Sequence, residues 1–113
     1  MELCELAFFT DDVSASTRFY QELFGVEPVH SDESVAIFDV EGVEVLIHET
    51  YEPGEGDLPA ADHAGFAVED LDESVEELVG AGFDLFREPE EYDWGYSAYL
   101  QDPDGRTVEL TER

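Results

Sequence analysis

Apolar and polar positions along the chain fall into two similar series of predicted elements. In the first series, an apolar run at residues 3–10 predicts a strand, and a pattern with helical spacing follows over residues 13–24. Alternating apolar and polar residues then predict three strands, at residues 26–30, 34–40 and 43–50. The first half of the chain is therefore predicted to run strand, helix, strand, strand, strand.

The first predicted helix has signals at both ends. Asp11 and Asp12 stop the preceding strand and offer an N-cap carboxylate, and Gly25 is a suitable C-cap. Four aromatic or apolar residues fit one amphipathic face of the helix, namely Phe19, Tyr20, Leu23 and Phe24. Gly42 and the acidic residue before it predict the hairpin turn that joins the last two strands.

The second series restarts at residue 63 and repeats the same order. A strand is predicted over residues 63–69, and Asp70 with Glu73 has the spacing of a helix capping box. The apolar face of this helix consists of Leu71, Val75, Leu78 and Val79, and Gly80 and Gly82 are predicted to end it. Strands are predicted near residues 83–87, 95–101 and 106–111, the last two joined by a tight turn at residues 102–105.

A loop-rich segment separates the two series and predicts a linker. Residues 52–62 contain Pro53, Gly54, Gly56 and Pro59. We therefore divide one domain, residues 1–113, into module one (1–51), the linker (52–62) and module two (63–113). A shift of 58 residues places Asp12 on Asp70 and Glu5 on His63, which supports a duplicated module.

Composition changes the picture of the surface. Apolar residues make up 42% of the chain, enough for a packed core, but the net charge is −27. Such a charge is self-repulsive at low salt, so we interpret the surface as salt-adapted, as in a halophile. An acidic interaction surface is the alternative. Nucleic acid and anionic membranes are unfavourable partners because the chain has no lysine and only four arginines.

Several classes of protein and site lack their sequence signals. The single cysteine, Cys4, lies in an apolar run, so we expect a buried thiol and no internal disulfide. No apolar run approaches a membrane span and no secretory signal precedes one, which makes the cytoplasm the expected location. No glycine-rich phosphate loop is present, so neither a nucleotide nor an organic cofactor is expected.

Three segments carry a resemblance to a known family. Residues 10–25 resemble the first-module signature of the glyoxalase, bleomycin-resistance and extradiol dioxygenase superfamily, also called the vicinal oxygen chelate superfamily, in which an acid caps a helix with a Phe-Tyr pair. Residues 63–70 resemble the start of its second module, and residues 102–110 its closing hairpin. The resemblance implies an α+β fold of two βαβββ modules whose mixed sheets curl into a half-barrel cleft.

The resemblance also implies a set of metal ligands. In metal-dependent members four side chains line the cleft, and the matching positions here are Glu5, His48, His63 and Glu109. Two imidazoles and two carboxylates suit a divalent ion such as Ni, Co, Mn, Fe or Zn. The family more often has His or Gln where Glu5 stands and Glu where His48 stands, so the residue types are exchanged. The alternatives are a solvated Glu5 and hydrogen-bonded structural histidines.

The implied activity is that of a glyoxalase-type, metal-dependent lyase or isomerase acting on a small oxygenated substrate. Glu109 or Glu5 would then abstract a proton next to a carbonyl group. One alternative is a metal-free binding protein of the bleomycin-resistance type. Another, ranked lowest, is an extradiol-type dioxygenase, whose iron could be held by His48, His63 and Glu109.

Aromatic residues supply the remaining candidate chemistry. A pocket wall that stacks on a flat or apolar ligand is the functional interpretation of five of them: Tyr51, Tyr92, Trp94, Tyr96 and Tyr99. Of these, we predict that Trp94, Tyr96 and Tyr51 bind substrate. Packing in the core and hairpins is the alternative. We also expect a homodimer, because two half-sheets in a chain of this size leave open strand edges.

Overall fold

The computed structural model describes residues 1–54 and 57–113. The predicted linker at 52–62 includes Glu55 and Gly56, which lie outside the described residues. The chain divides into two compact units. The N-terminal unit is Glu5–Asp62, and the C-terminal unit combines Met1–Cys4 with His63–Arg113.

The N-terminal unit has one helix and four strands. The elements are β1 (Glu2–Thr10, whose first three residues belong to the C-terminal unit), α1 (Val13–Phe24), β2 (His30–Ser31), β3 (Val35–Val40) and β4 (Val43–Glu49). Their hydrogen-bonded order is β2-β3-β4-β1, in which β1 and β4 are parallel and the other pairs are antiparallel. The predicted order of strand, helix and three strands is confirmed.

The C-terminal unit repeats this arrangement. Its elements are β5 (His63–Val68), α2 (Leu71–Gly80), β6 (Asp84–Tyr92), β7 (Gly95–Gln101) and β8 (Thr107–Glu112). The strand order is β5-β8-β7-β6, with β5 and β8 parallel. Cys4 of β1 is buried and its thiol donates to the carbonyl oxygen of Gly65 in β5 at 3.5 Å. The α+β class is confirmed in both units.

The two helices begin as the sequence predicts. The Asp12 carboxylate accepts from the backbone N–H of Ala15 at 3.0 Å, and the Asp70 carboxylate accepts from that of Glu73 at 3.1 Å. Each bond satisfies an amide that has no partner within its own helix. Gly25 adopts a left-handed conformation, φ 70°, as its C-cap role requires.

The predicted apolar face of α1 is wrong in part. Tyr20 and Phe24 face the sheet, where Tyr20 stacks on Phe8 and Phe24 packs edge-on against Phe38. Phe19 and Leu23 are instead 61% and 64% exposed. Residues four apart share one face of a helix, whereas adjacent residues are about 100° apart, so only one of the two i, i+4 pairs faces the core.

Two predicted strands differ in extent from the observed ones. The strand predicted at 26–30 is wrong except for its last residue, because β2 covers only His30–Ser31. Pro28 has no backbone N–H to donate to a neighbouring strand, which explains the late start. The strand predicted at 83–87 runs on to Tyr92 as β6 and contains Pro89. Proline is tolerated there because β6 is an edge strand with irregular pairing around Arg87.

Each helix packs on one face of its own strands, and this places the core. The cluster under α1 consists of Ala36, Phe38, Val45 and Ile47, and the cluster under α2 consists of Val68, Leu71, Val75, Ala98, Leu100 and Leu110. Because successive strand residues point to opposite faces, every second side chain of these strands lies on the face away from the helix.

In the described residues, no helix is both long and apolar enough to cross a membrane.

Candidate functional site

The strand face away from α2 carries buried polar side chains. In β8, Leu110 packs toward the helix, so Glu109 and Thr111 point to the other face. The same alternation in β7 places Ser97 and Tyr99 beside them, and the Ser97 hydroxyl donates to that of Thr111 at 3.0 Å. These polar residues therefore form a row on one face of β7 and β8, whereas the residues between them build the apolar core on the other face.

Glu109 is the most strongly held residue of this row. It is only 3% exposed. Its Oε2 atom accepts hydrogen bonds from the Trp94 indole N–H at 3.0 Å and from the Tyr99 hydroxyl at 3.1 Å. Burying a carboxylate without partners is costly, so these two donors stabilise it in place and fix the direction of its second oxygen.

His63 faces that second oxygen. Its Nε2 atom lies 3.7 Å from Glu109 Oε1, and both side chains are nearly buried, at 12% and 4% exposure. The imidazole also packs edge-on against the Tyr99 ring, with centroids 6.0 Å apart. Within the C-terminal unit, the structure thus brings together His63 from the first strand and Glu109 from the last strand, both predicted ligands.

The distance between these atoms fits shared coordination of one metal ion. Ligand atoms about 2.0–2.2 Å from an ion, at angles of about 90–120°, are about 2.8–3.8 Å apart. The observed 3.7 Å lies in this range and is too long for a hydrogen bond. Outer hydrogen bonds such as those from Trp94 and Tyr99 are typical of carboxylates that bind metal ions. The His63–Glu109 pair could therefore hold a divalent cation.

Trp94, one of the predicted substrate-binding residues, lies beside Glu109. Its ring stacks on Tyr92 with centroids 4.6 Å apart and planes 3° from parallel, while 57% of the residue is exposed. Burial, and then the Glu90 carboxylate, raise the pKa of Tyr92 above its usual value. The structure places an aromatic surface next to the candidate ligands.

Tyr96 lies on the helix-facing side of β7, whereas Glu109 of the neighbouring strand β8 points to the other side. It packs against the cluster under α2, and its hydroxyl donates to Asp72 at 2.7 Å. This hydrogen bond is the main reason that the pKa of Tyr96 rises to about 12. The side chain therefore does not join the group formed by Glu109, His63 and Trp94.

The other predicted residues lie in the N-terminal unit. Glu5 is partly buried in β1, opposite Glu44 of β4. His48 donates from Nδ1 to its neighbour's backbone oxygen, that of Glu49, at 2.8 Å, because a carbonyl can only accept. A neutral imidazole in this tautomer keeps a lone pair on Nε2, which suits metal binding.

Tyr51, the third residue predicted to bind substrate, is close to His48. Their rings meet edge-on at 5.9 Å, and the Tyr51 hydroxyl donates to the Leu58 carbonyl oxygen at 2.7 Å. Burial, and then the Asp57 carboxylate, raise the pKa of Tyr51. Its hydroxyl is therefore engaged within the unit, and the ring edge is the part that contacts a predicted ligand.

Tyr99 and Tyr92 belong to the aromatic set that the sequence offered as a pocket wall, but they were not among the residues predicted to bind substrate. Tyr99 donates to Glu109, and Tyr92 supports Trp94. The alternation of residues 95–101 would place Tyr99 on one face of its strand. The pairing of Tyr99 with Glu109 across two strands depends on register, which the pattern does not specify.

Comparison with known proteins agrees with this architecture. Residues 3–110 match the sequence model of the Glyoxalase/Bleomycin resistance protein/Dioxygenase superfamily. A solved member of that superfamily from Vibrio splendidus 12B01 is 16% identical, with 96% of each chain covered and a TM-score of 0.73. The methylmalonyl-CoA epimerase from Mycobacterium tuberculosis is 18% identical over 98% of this chain and 87% of its own, with a TM-score of 0.74.

A third similar structure is the Mn(II)-bound glyoxalase from Novosphingobium aromaticivorans. It is 22% identical, with a TM-score of 0.72, and the match covers 98% of this chain and 38% of that one. At such identities these likenesses support the fold alone. The family match over nearly the whole length carries the assignment: the chain belongs to the Glyoxalase/Bleomycin resistance protein/Dioxygenase superfamily.

Proposed function

We propose that this chain is a metal-dependent lyase or isomerase of glyoxalase type that acts on a small oxygenated substrate. The observation that supports it best is the buried Glu109 carboxylate with His63 Nε2 3.7 Å from its Oε1 atom. A buried carboxylate beside an imidazole, oriented by two outer donors, is a common arrangement at metal sites.

His63 and Glu109 would hold the cation, with Glu5 and His48 as the further ligands that the family resemblance implies. The oxygen and nitrogen donor set suits Ni, Co, Mn, Fe or Zn. When bound, such an ion supplies Lewis-acid polarisation of a substrate carbonyl oxygen. The Nε2 lone pair of His48 is compatible with this role, because its Nδ1–H is donated to Glu49.

The two predicted catalytic carboxylates would differ in their tasks. Glu109 accepts two hydrogen bonds at Oε2, which stabilise the ionised carboxylate and hold it as a fixed ligand. Glu5 is then the better candidate for the base. It would remove a proton from the hydroxyl-bearing carbon next to the carbonyl and return it to the carbonyl carbon, while the hydroxyl proton moves to the former carbonyl oxygen.

Metal content and turnover test this proposal together. Protein purified in molar KCl should bind one Mn²⁺ or Ni²⁺ per chain by calorimetry, and it should isomerise the hemithioacetal of methylglyoxal and a small thiol. Glu109→Gln should lose metal, whereas Glu5→Gln should lose turnover more than metal. Glu91→Gln, an exposed acid in β6, is the matched control and should change neither. A chain that binds none of the five metals would refute the proposal.

A metal-free binding protein of the bleomycin-resistance type is the second candidate. The observation that favours it is that protein donors already occupy Glu109 Oε2, since Trp94 and Tyr99 both donate to it. A carboxylate satisfied in this way can remain buried without a cation. If small-molecule binding survives EDTA treatment unchanged while turnover is absent, this second candidate replaces the first.

Two further properties are proposed from charge and strand edges. We propose a salt-adapted surface because the chain has 31 acidic residues and only four arginines. The melting temperature should rise between 0.1 M and 2 M KCl, and no rise would contradict salt adaptation.

We propose a homodimer because β6, nine residues long, is an edge strand of its unit and has one side without a neighbouring strand. Sedimentation at several protein concentrations can check this.

A further inference from the structure

Trp94 is held at the tip of a tight hairpin. Tyr92 of β6 pairs with Gly95 of β7, so the turn between them consists of Asp93 and Trp94 alone. Gly95 has a φ of 139°, in a region that side chains other than hydrogen rarely adopt. The turn therefore has a specific backbone conformation, and it directs the indole back over the polar face of the C-terminal unit.

Two contacts fix the indole ring in place. Its N–H donates to Glu109 Oε2 at 3.0 Å, and one ring face stacks on Tyr92. The described residues place no other aromatic ring against it, and 57% of Trp94 is exposed. One broad face of a large apolar side chain is thus left uncovered, beside the buried carboxylate.

A ligand that covers the open face would bury apolar indole surface. Exposed indole surface loses the gain of burial, which is about 25 cal/mol per Å² of apolar area. Tyr92 and Glu109 already hold the ring in one orientation, so a ligand that stacks on it meets a side chain whose conformational entropy is already reduced. The net charge of −27 also disfavours anionic ligands.

We propose that the open face of Trp94 is the specificity surface of the site, and that it selects non-anionic substrates whose vicinal oxygens are attached directly to an aromatic or conjugated planar group. This inference rests on the proposed function only in placing the substrate oxygens at His63 and Glu109. Stacking is the interaction by which a planar group and an indole recognise each other, and it is worth a threefold to tenfold preference, as an order of magnitude.

A matched pair of ligands tests the inference. The probes are 2-hydroxyacetophenone and its cyclohexyl analogue, 1-cyclohexyl-2-hydroxyethanone, which carry the same two oxygens on a planar and on a saturated ring. Calorimetry in molar KCl should give the aromatic ligand a dissociation constant about three to ten times lower. Because Trp94 is the only tryptophan of the chain, its indole N–H gives one signal in a ¹⁵N spectrum. The aromatic ligand should move this signal more than the saturated one.

Two variants assign the preference to the ring. Trp94→Leu should reduce the ratio of the two dissociation constants to about one, because leucine has no planar face. Trp94→Phe should keep a preference but weaken metal binding, because phenylalanine cannot donate to Glu109. Tyr96→Phe is the matched control, since Tyr96 lies on the other face of β7 and should leave the ratio unchanged.

The outcomes separate this inference from the proposed function. If metal binds but the wild-type ratio is one, or if neither ligand binds, the specificity surface is wrong and the metal-dependent function can still stand. If no metal binds but an aromatic preference is lost in Trp94→Leu, the specificity surface stands and the lyase proposal fails. A preference that survives Trp94→Leu would overturn the assignment to Trp94.

Discussion

The two units share a frame and differ in what they build on it. Both begin with a strand, and both cap the following helix with an aspartate, Asp12 in one unit and Asp70 in the other. Both also bury an apolar cluster beneath that helix. On the face away from the helix, the C-terminal unit buries Glu109 with hydrogen-bonded Tyr99. The corresponding His48 of the N-terminal unit contacts the rings of Phe9 and Tyr51 instead.

This difference indicates where a duplicated fold can change its chemistry. The helix-facing positions are constrained by packing in both units, so they remain apolar. The other face is less constrained, and the C-terminal unit uses a long edge hairpin, β6–β7, to bring Trp94 to Glu109. The N-terminal unit has only the two-residue β2 at the corresponding place, which offers no such hairpin.

The largest expected effect tests the shared frame through its cores. Leu110 and Ile47 are 1% and 0% exposed, one in each apolar cluster. Leu110→Ala and Ile47→Ala should each lower the free energy of unfolding by about 2–5 kcal/mol, through lost burial and a residual cavity. Urea unfolding followed by circular dichroism measures this. Phe19→Ala, on the exposed side of α1, is the control and should change stability by less than about 0.5 kcal/mol.

The next effect tests the functional difference between the units. Glu109→Ala should weaken Mn²⁺ binding by more than about 100-fold, because losing outer partners alone costs about 10–100-fold. His48→Ala should weaken it less, since the imidazole is neither buried nor held by side-chain donors. Calorimetry gives both constants. Equal losses would contradict the contrast drawn between Glu109 and His48.

A smaller effect should be the same in both units. Asp12→Ala and Asp70→Ala should each cost about 1 kcal/mol of unfolding free energy, because each removes the acceptor for one helix N-terminal amide. Asp→Asn at either position should cost less, since asparagine also caps. Unequal losses in urea titrations would indicate that one cap has a further role.

The smallest expected effect concerns pH and is specific to the C-terminal unit. The hydrogen bond to Asp72 raises the pKa of Tyr96 to about 12, from about 10 in the unfolded chain. Because the folded state holds the proton more tightly, this contribution to stability is complete below pH 10 and is lost as the pH rises toward 12. Tyr96→Phe should flatten that part of the stability curve, and an unchanged slope would contradict the assigned cause. Tyr51 and Tyr92 also have raised pKa values and would retain part of the slope.

Much of the local structure was predictable because its causes are local. The caps at Asp12 and Asp70 follow from residue type and spacing. So does the turn at residues 41–42, where Glu41 and Gly42 both have positive φ angles. The strand predicted at 26–30 is wrong except for its last residue because Pro28 lacks the backbone N–H that a neighbouring strand would accept, and the apolar pattern does not reflect this.

The sequence by itself determined the βαβββ order, the helix caps and the excess of acidic residues, because these depend on residue types and on neighbours in the chain. The candidacy of His63 and Glu109 came from the resemblance to the superfamily. Only the tertiary structure decided that Trp94 and Tyr99 donate to Glu109. It also decided that Tyr96, two residues after Trp94, lies on the other face. Those partners depend on strand register and on the direction of the β6–β7 hairpin. The alternation of side chains along a strand predicts which face each residue occupies, but it does not predict which residues of neighbouring strands contact each other.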